Sequence, residues 1–175
     1  MQIIVLLFLF LVLCVIIFGA ITLSAFMIGW FKGAPYVPSK REKIARMLAL
    51  ADIQNGERVF DLGSGNGIVL IEAARAGAMG TGIECNPFLV WLARRRIAAV
   101  GLSEKIKIIR GDFRDCTLAD ADVVFVYLMP KTLTALQEKL QRELKSGARI
   151  ISNDFPIAGW TPIHEEDGIF VYRKM

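Results

Sequence analysis

Residues Val59-Phe60-Asp61-Leu62-Gly63-Ser64-Gly65-Asn66-Gly67 pass from an apolar run of strand character straight into alternating glycines. Glycines at the end of a strand let the backbone turn sharply and approach a ligand without Cβ contacts. The helix that follows such a turn presents its free N–H groups to a polar or anionic group. A turn of this kind works between a strand and a helix, so it commits the flanking chain to an α/β architecture.

The rest of the chain keeps that rhythm. Strands are predicted over 58–62, 80–84, 106–110, 123–128, 149–152 and 169–172. Helices are predicted over 68–76, over a segment capped by Asn86 with Pro87 in its first turn and ended by Gly101, and over 131–145. The last carries Leu133, Leu136, Leu140 and Leu144 on one face and stops at Gly147. Alternation at this spacing predicts a Rossmann-like, doubly wound, mostly parallel sheet with helices on both sides. Ser39 and Glu42 form a capping box for an earlier helix, whose face of Ile44, Met47, Leu48 and Ala51 opposes Lys40, Arg41, Lys43 and Arg46. It reads as a solvated outer helix in preference to one lying on a membrane.

Glu84 ends the second predicted strand, where an acid takes both hydroxyls of a ribose. A dinucleotide fingerprint would run G-x-G-x-x-G, but here the spacing is G-x-G-x-G and Ile68 stands at the third position. Asp61 just before the turn would repel a pyrophosphate, yet it suits a ligand with an amino group and a sulfonium. S-adenosylmethionine has both and no phosphate. Asp112, after the third strand, is placed for the adenine amino group, with Phe113 available to pack on the ring.

No charged residue occurs from 1 to 31. About 20 apolar residues cross a bilayer, and 3–28 satisfy this. A cleavable signal would have a basic start and a shorter apolar stretch. Lys32, Lys40, Arg41, Lys43 and Arg46 follow the segment and nothing positive precedes it, so the expectation is a single-pass anchor with the catalytic domain cytoplasmic. Trp30 and Phe31 fall where an interfacial aromatic belt would lie. Division of the chain into an anchor (1–31), a linker and amphipathic helix (32–55) and a catalytic domain (56–175) follows. Cys14, Cys85 and Cys116 form neither a disulfide framework nor a metal site, so no metal is expected. The net charge of +4 is concentrated beside the anchor, which fits lipid headgroups better than nucleic acid.

Over 56–175 the chain resembles the class I, seven-strand methyltransferases. It is also similar to a narrower family, the small membrane-anchored lysine methyltransferases that act on the ATP synthase c-ring protein and the adenine nucleotide translocase. The shared residues are Pro35-Tyr36-Val37-Pro38, Asp61-Leu62-Gly63-Ser64-Gly65, Glu84-Cys85-Asn86-Pro87 with Leu89-Val90-Trp91, Arg142-Glu143-Leu144, and Phe155-Pro156 with Trp160-Thr161-Pro162. It departs from the family pattern at Asn66 and Ile68, where an acid and a basic residue are usual.

The resemblance implies S-adenosyl-L-methionine as cofactor and a lysine of a membrane-associated protein as acceptor. Cofactor contacts are expected from Asp61, Gly63, Ser64, Gly65, Asn66, Gly67, Glu84, Asn86, Asp112 and Phe113. Tyr127, Pro130, Phe155 and Trp160 are expected on the substrate side, with Asp154 and Tyr36 as candidates for catalysis. Asp154 would orient the acceptor amine. His164 reads as a surface residue and Arg94-Arg95-Arg96 as a solvated helix face. The absence of an Asp/Asn-Pro-Pro-Tyr sequence counts against methylation of adenine in nucleic acid. Alternatives are methyl transfer to a lipid or quinone headgroup, a nicotinamide-dependent oxidoreductase, and a cofactor-binding scaffold without catalysis.

Overall fold

The computed structural model describes residues 2–31, 37 and 39–175, of which 21–31 by backbone alone. The charge-free segment forms α1 (Gln2–Phe31), a 30-residue helix about 45 Å long at 1.5 Å per residue. Over Gln2–Ala20, none of its side chains is buried against the rest of the chain.

The remaining elements are α2 (Arg41–Ala51), β1 (Arg58–Leu62), α3 (Ile68–Arg75), β2 (Met79–Glu84), α4 (Pro87–Ala99), β3 (Ile106–Arg110), β4 (Val123–Val126), α5 (Pro130–Glu143), β5 (Arg149–Asn153), β6 (His164–Glu166) and β7 (Ile169–Arg173). The strands form one sheet in the order β3-β2-β1-β4-β5-β7-β6. Strands β1 to β5 are parallel, and β7 runs antiparallel to both of its neighbours. This is the expected doubly wound, mostly parallel sheet preceded by an apolar helix.

Alternation along the strands divides the core in two. Val59, Val123, Phe125, Ile151, Ile169 and Val171 face α2, α3 and α4. Leu62, Val124, Val126, Ile150 and Tyr172 face α5. Among the described residues α5 is the only α-helix on that second face. Elsewhere the face is covered by irregular chain that brings in Phe113, Leu118 and Ile157.

Two local expectations need correction. Helix α2 opens at Arg41, with Lys40 in the capping position and no side-chain cap. Instead of capping, the Ser39 hydroxyl accepts a hydrogen bond from Asn153 Nδ2 at 3.5 Å. His164 is exposed, as expected, but it lies in a strand that the sequence does not predict, β6, opposite Val171. That strand has three residues, too few for an alternating pattern to register. The cap at Asn86 is as expected: its Oδ1 accepts from the amides of Phe88 (2.9 Å) and Leu89 (3.4 Å), with Pro87 at the start of α4.

Candidate active site

The carboxyl ends of β1, β2, β4 and β5 form one rim of the sheet, and nearly every chemical residue of interest stands on it. Gly63, Gly65 and Gly67 all take positive φ (88°, 53° and 78°). Gly63 and Ser64 donate their amides to Ile83 O on β2, and Gly67 donates to Ser64 O, which closes the turn. A Cβ at Gly67 would meet Ala93 Cβ at 3.2 Å, so this glycine also sets how closely α3 packs on α4. Asn66 Oδ1 accepts from the Ile68 amide at 3.2 Å at the start of α3.

Glu84 ties the turn to the second strand. Its Oε2 accepts from the Gly65 amide at 2.9 Å and its Oε1 from the Asn86 amide at 2.7 Å. A carboxylate has about four acceptor sites, so two remain for outside donors. Asp61 and Glu84 are each 7% exposed. Burial, and then the charge of Glu84, push the Asp61 carboxyl up to about 7. A buried acid in that condition lacks a cation.

The Ser64 hydroxyl is buried without a hydrogen-bond partner. It lies against β2, where a Cβ added at Gly82 would come within 2.6 Å of it. Asp112 receives both Nε (2.9 Å) and Nη2 (2.6 Å) of Arg114. The ring of Phe113 is buried in the core on the α5 side.

The other end of the rim is built from β4, β5 and α2. Tyr127 follows β4 and stacks on Phe155, with centroids 6.4 Å apart. Asp154 follows β5 with φ +62°. It accepts hydrogen bonds from Tyr127 and from Lys43 of α2. Burial works against its ionisation, but the bonds from Lys43 and Tyr127 and the charge of Lys43 hold its pKa below the ordinary value. Burial, and then the bond to Asp154, push Tyr127 up to about 12. Pro130 is exposed at the start of α5. Trp160 is apart from this group, edge-on to Tyr172 at 6.0 Å and beside Gln137, Glu138, Gln141 and Arg142 of α5. Tyr36 lies outside the described residues.

Lys43 and Arg46 are neighbours of this end of the rim that the sequence did not reveal. They reach from α2 to Asp154 and Glu166, 111 and 120 residues away. Buried Asn153, whose Oδ1 has no partner, was also missed. A polar residue at the carboxyl end of an otherwise apolar strand is the signal that could have found it.

Residues 61–164 match the family model described as the ANTKMT methyltransferase domain. A protein-lysine N-methyltransferase of Saccharolobus islandicus is 34% identical over 139 residues, covering 77% of this chain and 86% of that protein. The adenine nucleotide translocase lysine N-methyltransferase of Mus musculus is 38% identical over 130 residues, 74% of this chain. Of that second relative's length the chain covers 56%. Among solved structures, a Salinibacter ruber protein described as an RNA methyltransferase in complex with S-adenosyl-L-homocysteine superposes with a TM-score of 0.74. Its identity is 36%, over 79% of this chain and 92% of that one. With the glycine turn and the buried acid pair in place, these matches agree: the chain belongs to the ANTKMT methyltransferase domain family, and its cofactor is S-adenosylmethionine.

Proposed function

We propose that the protein is a membrane-anchored methyltransferase that transfers the methyl group of S-adenosylmethionine to a lysine of a membrane-associated protein. The observation that carries the acceptor class is the match, over more than three quarters of both chains, to a protein-lysine N-methyltransferase. The anchor rests on α1, whose described side chains nothing in the chain covers.

The site residues fit the cofactor by their chemistry. Asp61, buried and short of a cation, pairs with the amino group of the methionine part. Glu84, with two acceptor sites left after serving Gly65 and Asn86, takes the ribose hydroxyls. Asp112, whose carboxylate is shared with Arg114, takes the adenine amine. Gly63, Gly65 and Gly67 let the backbone close on the ligand, while Ser64, Asn66, Asn86 and Phe113 shape the cradle from within.

When bound, the cofactor supplies an activated methyl group that a neutral amine takes up in line. The chain positions that amine and strips it of water. Asp154 stands two strands across from Asp61 and three residues further along, about 14 Å away at the usual strand spacing and rise. The carboxylate of Asp154, which also accepts from the hydroxyl of Tyr127, already holds one primary ammonium, that of Lys43. An incoming lysine would take the same carboxylate with Lys43 displaced, and Phe155 flanks it through its stack on Tyr127.

The test is incubation of the full-length protein with methyl-labelled S-adenosylmethionine and host membranes, followed by separation of protein, lipid and RNA. Label recovered as methyl-lysine is expected. Label in the lipid fraction would move the acceptor to a headgroup, and label in RNA would favour the acceptor class named for the Salinibacter ruber relative.

A further inference from the structure

Helix α4 buries Leu89, Val90, Ala93 and Ile97 and turns a different set of residues outward. Phe88 is 59% exposed and Trp91 53% exposed. Their rings stack at 5.9 Å, and the Arg95 guanidinium lies 5.5 Å from the centre of the Trp91 ring. Positions 88, 91 and 95 follow the i, i+3, i+7 spacing of a single helical face. Arg94 donates to Ile108 O, while Arg95 and Arg96 are exposed, and the helix contains no acid. Two large aromatics left in water are costly unless something covers them.

Resting on the membrane-anchor reading, we propose that this face of α4 is a second membrane contact, with Phe88 and Trp91 at the headgroup level and Arg95 and Arg96 on anionic lipid. Three observations converge on that occupant. Aromatic rings with a polar or cationic rim suit the interface between water and hydrocarbon. Arginines beside them complement anionic headgroups. The third is position: α4 starts directly after Glu84, on the same rim of the sheet as the site. Helix α2 joins that rim at the other end, through Lys43 and Asp154.

The carboxyl ends of β2 and β5 are three strand spacings apart, about 15 Å. From the end of α1 at Phe31 to the start of α2 at Arg41, even a fully extended chain spans no more than about 36 Å. The anchor therefore keeps the rim close to the bilayer at the β5 end, and the α4 face meets it at the β2 end. Two contacts on opposite sides of the opening turn that opening toward the membrane. A single tether would leave the domain free to rotate.

The experiment reconstitutes the full-length protein in vesicles of phosphatidylcholine carrying bromine on the acyl chain near the headgroup, with and without phosphatidylglycerol. The Trp91 emission is isolated as the difference between wild type and Trp91→Phe. Expected is loss of that emission to bromine quenching, greater when phosphatidylglycerol is present, with the dependence on anionic lipid reduced in Arg95→Gln/Arg96→Gln. An unquenched Trp91 in carbonate-resistant vesicles would overturn the second contact and leave the anchor standing. Extraction of the protein by carbonate would overturn the anchor and this contact together. Protection of the Phe88–Trp91 face by an added soluble protein or RNA, but not by vesicles, would also overturn it.

Discussion

Asp61 and Glu84 stand at the carboxyl ends of adjacent strands, and the ionised Glu84 raises the proton affinity of its buried neighbour. Two acids this close are unfavourable in the empty chain, and a cation relieves them. Asp61→Asn should therefore weaken binding of S-adenosylhomocysteine by about 30- to 150-fold, the 2–3 kcal/mol of a charge-assisted hydrogen bond. The same variant should melt no lower than wild type at pH 8 without ligand, because it removes the repulsion. Titration calorimetry paired with a thermal melt checks both halves.

The same acid makes binding depend on pH. Folded, Asp61 takes up its proton near pH 7, against 3.8 for an ordinary aspartic acid. Between those values the folded chain binds more protons than the unfolded one, so this group favours folding below about pH 4 and loses that contribution as pH rises toward 7. Cofactor binding has the opposite sense, since pairing with an ammonium needs the carboxylate. Affinity should fall toward a limit of about tenfold per pH unit below pH 7. Calorimetry at pH 6 in buffers of different ionisation enthalpy should detect close to one proton released on binding.

Gly82 is a packing position with no charge to report it. A Cβ there would meet Ser64 Oγ at 2.6 Å, Ile108 Cδ1 at 2.7 Å and Leu70 Cδ1 at 2.8 Å. Overpacking of this kind costs roughly 1–3 kcal/mol. Gly82→Ala should lower the urea midpoint accordingly and, by pushing on Ser64, weaken the cofactor turn as well. Unchanged stability with intact binding would mean that β2 can move away from α3 at no cost.

Asp154→Asn should leave cofactor affinity within about twofold, because the residue lies about 14 Å from Asp61, two strands across and three residues along. Turnover on a protein acceptor should drop tenfold or more if the residue orients the amine, in the range typical of a positioning or proton-handling group. Arg46→Gln serves as the control. It breaks an ion pair to Glu166 in which the arginine side chain is 50% exposed, where solvent screens the attraction and little stability is lost. Steady-state kinetics on both variants separates a role in the reaction from a role in holding α2.

What could be read from the sequence was local or periodic. The glycine turn, the Asn86 cap and the leucine face of α5 each follow from residues a few positions apart, and all are present. Interactions across the fold left no such trace. Lys43 reads as one charge on an amphipathic helix until the sheet brings Asp154 to it. The burial of Phe113 on the α5 side of the core and the edge-on packing of Trp160 on Tyr172 likewise come from residues far along the chain. Phe88 and Trp91 show the converse: nothing in their spacing distinguishes outward aromatics from the buried Leu89 and Val90 between them.

Strand β7 lies between β5 and β6, both of which precede it in the sequence. A ribosome delivers the middle of this trio last. Until it does, β5 pairs only with β4, and the backbone of its other edge is unpaired. Unpaired edges of this sort recruit foreign strands. Insertion of Ile169–Arg173 is therefore the step at which a growing chain stops being an aggregation hazard, and slowing it should cost yield before it costs activity.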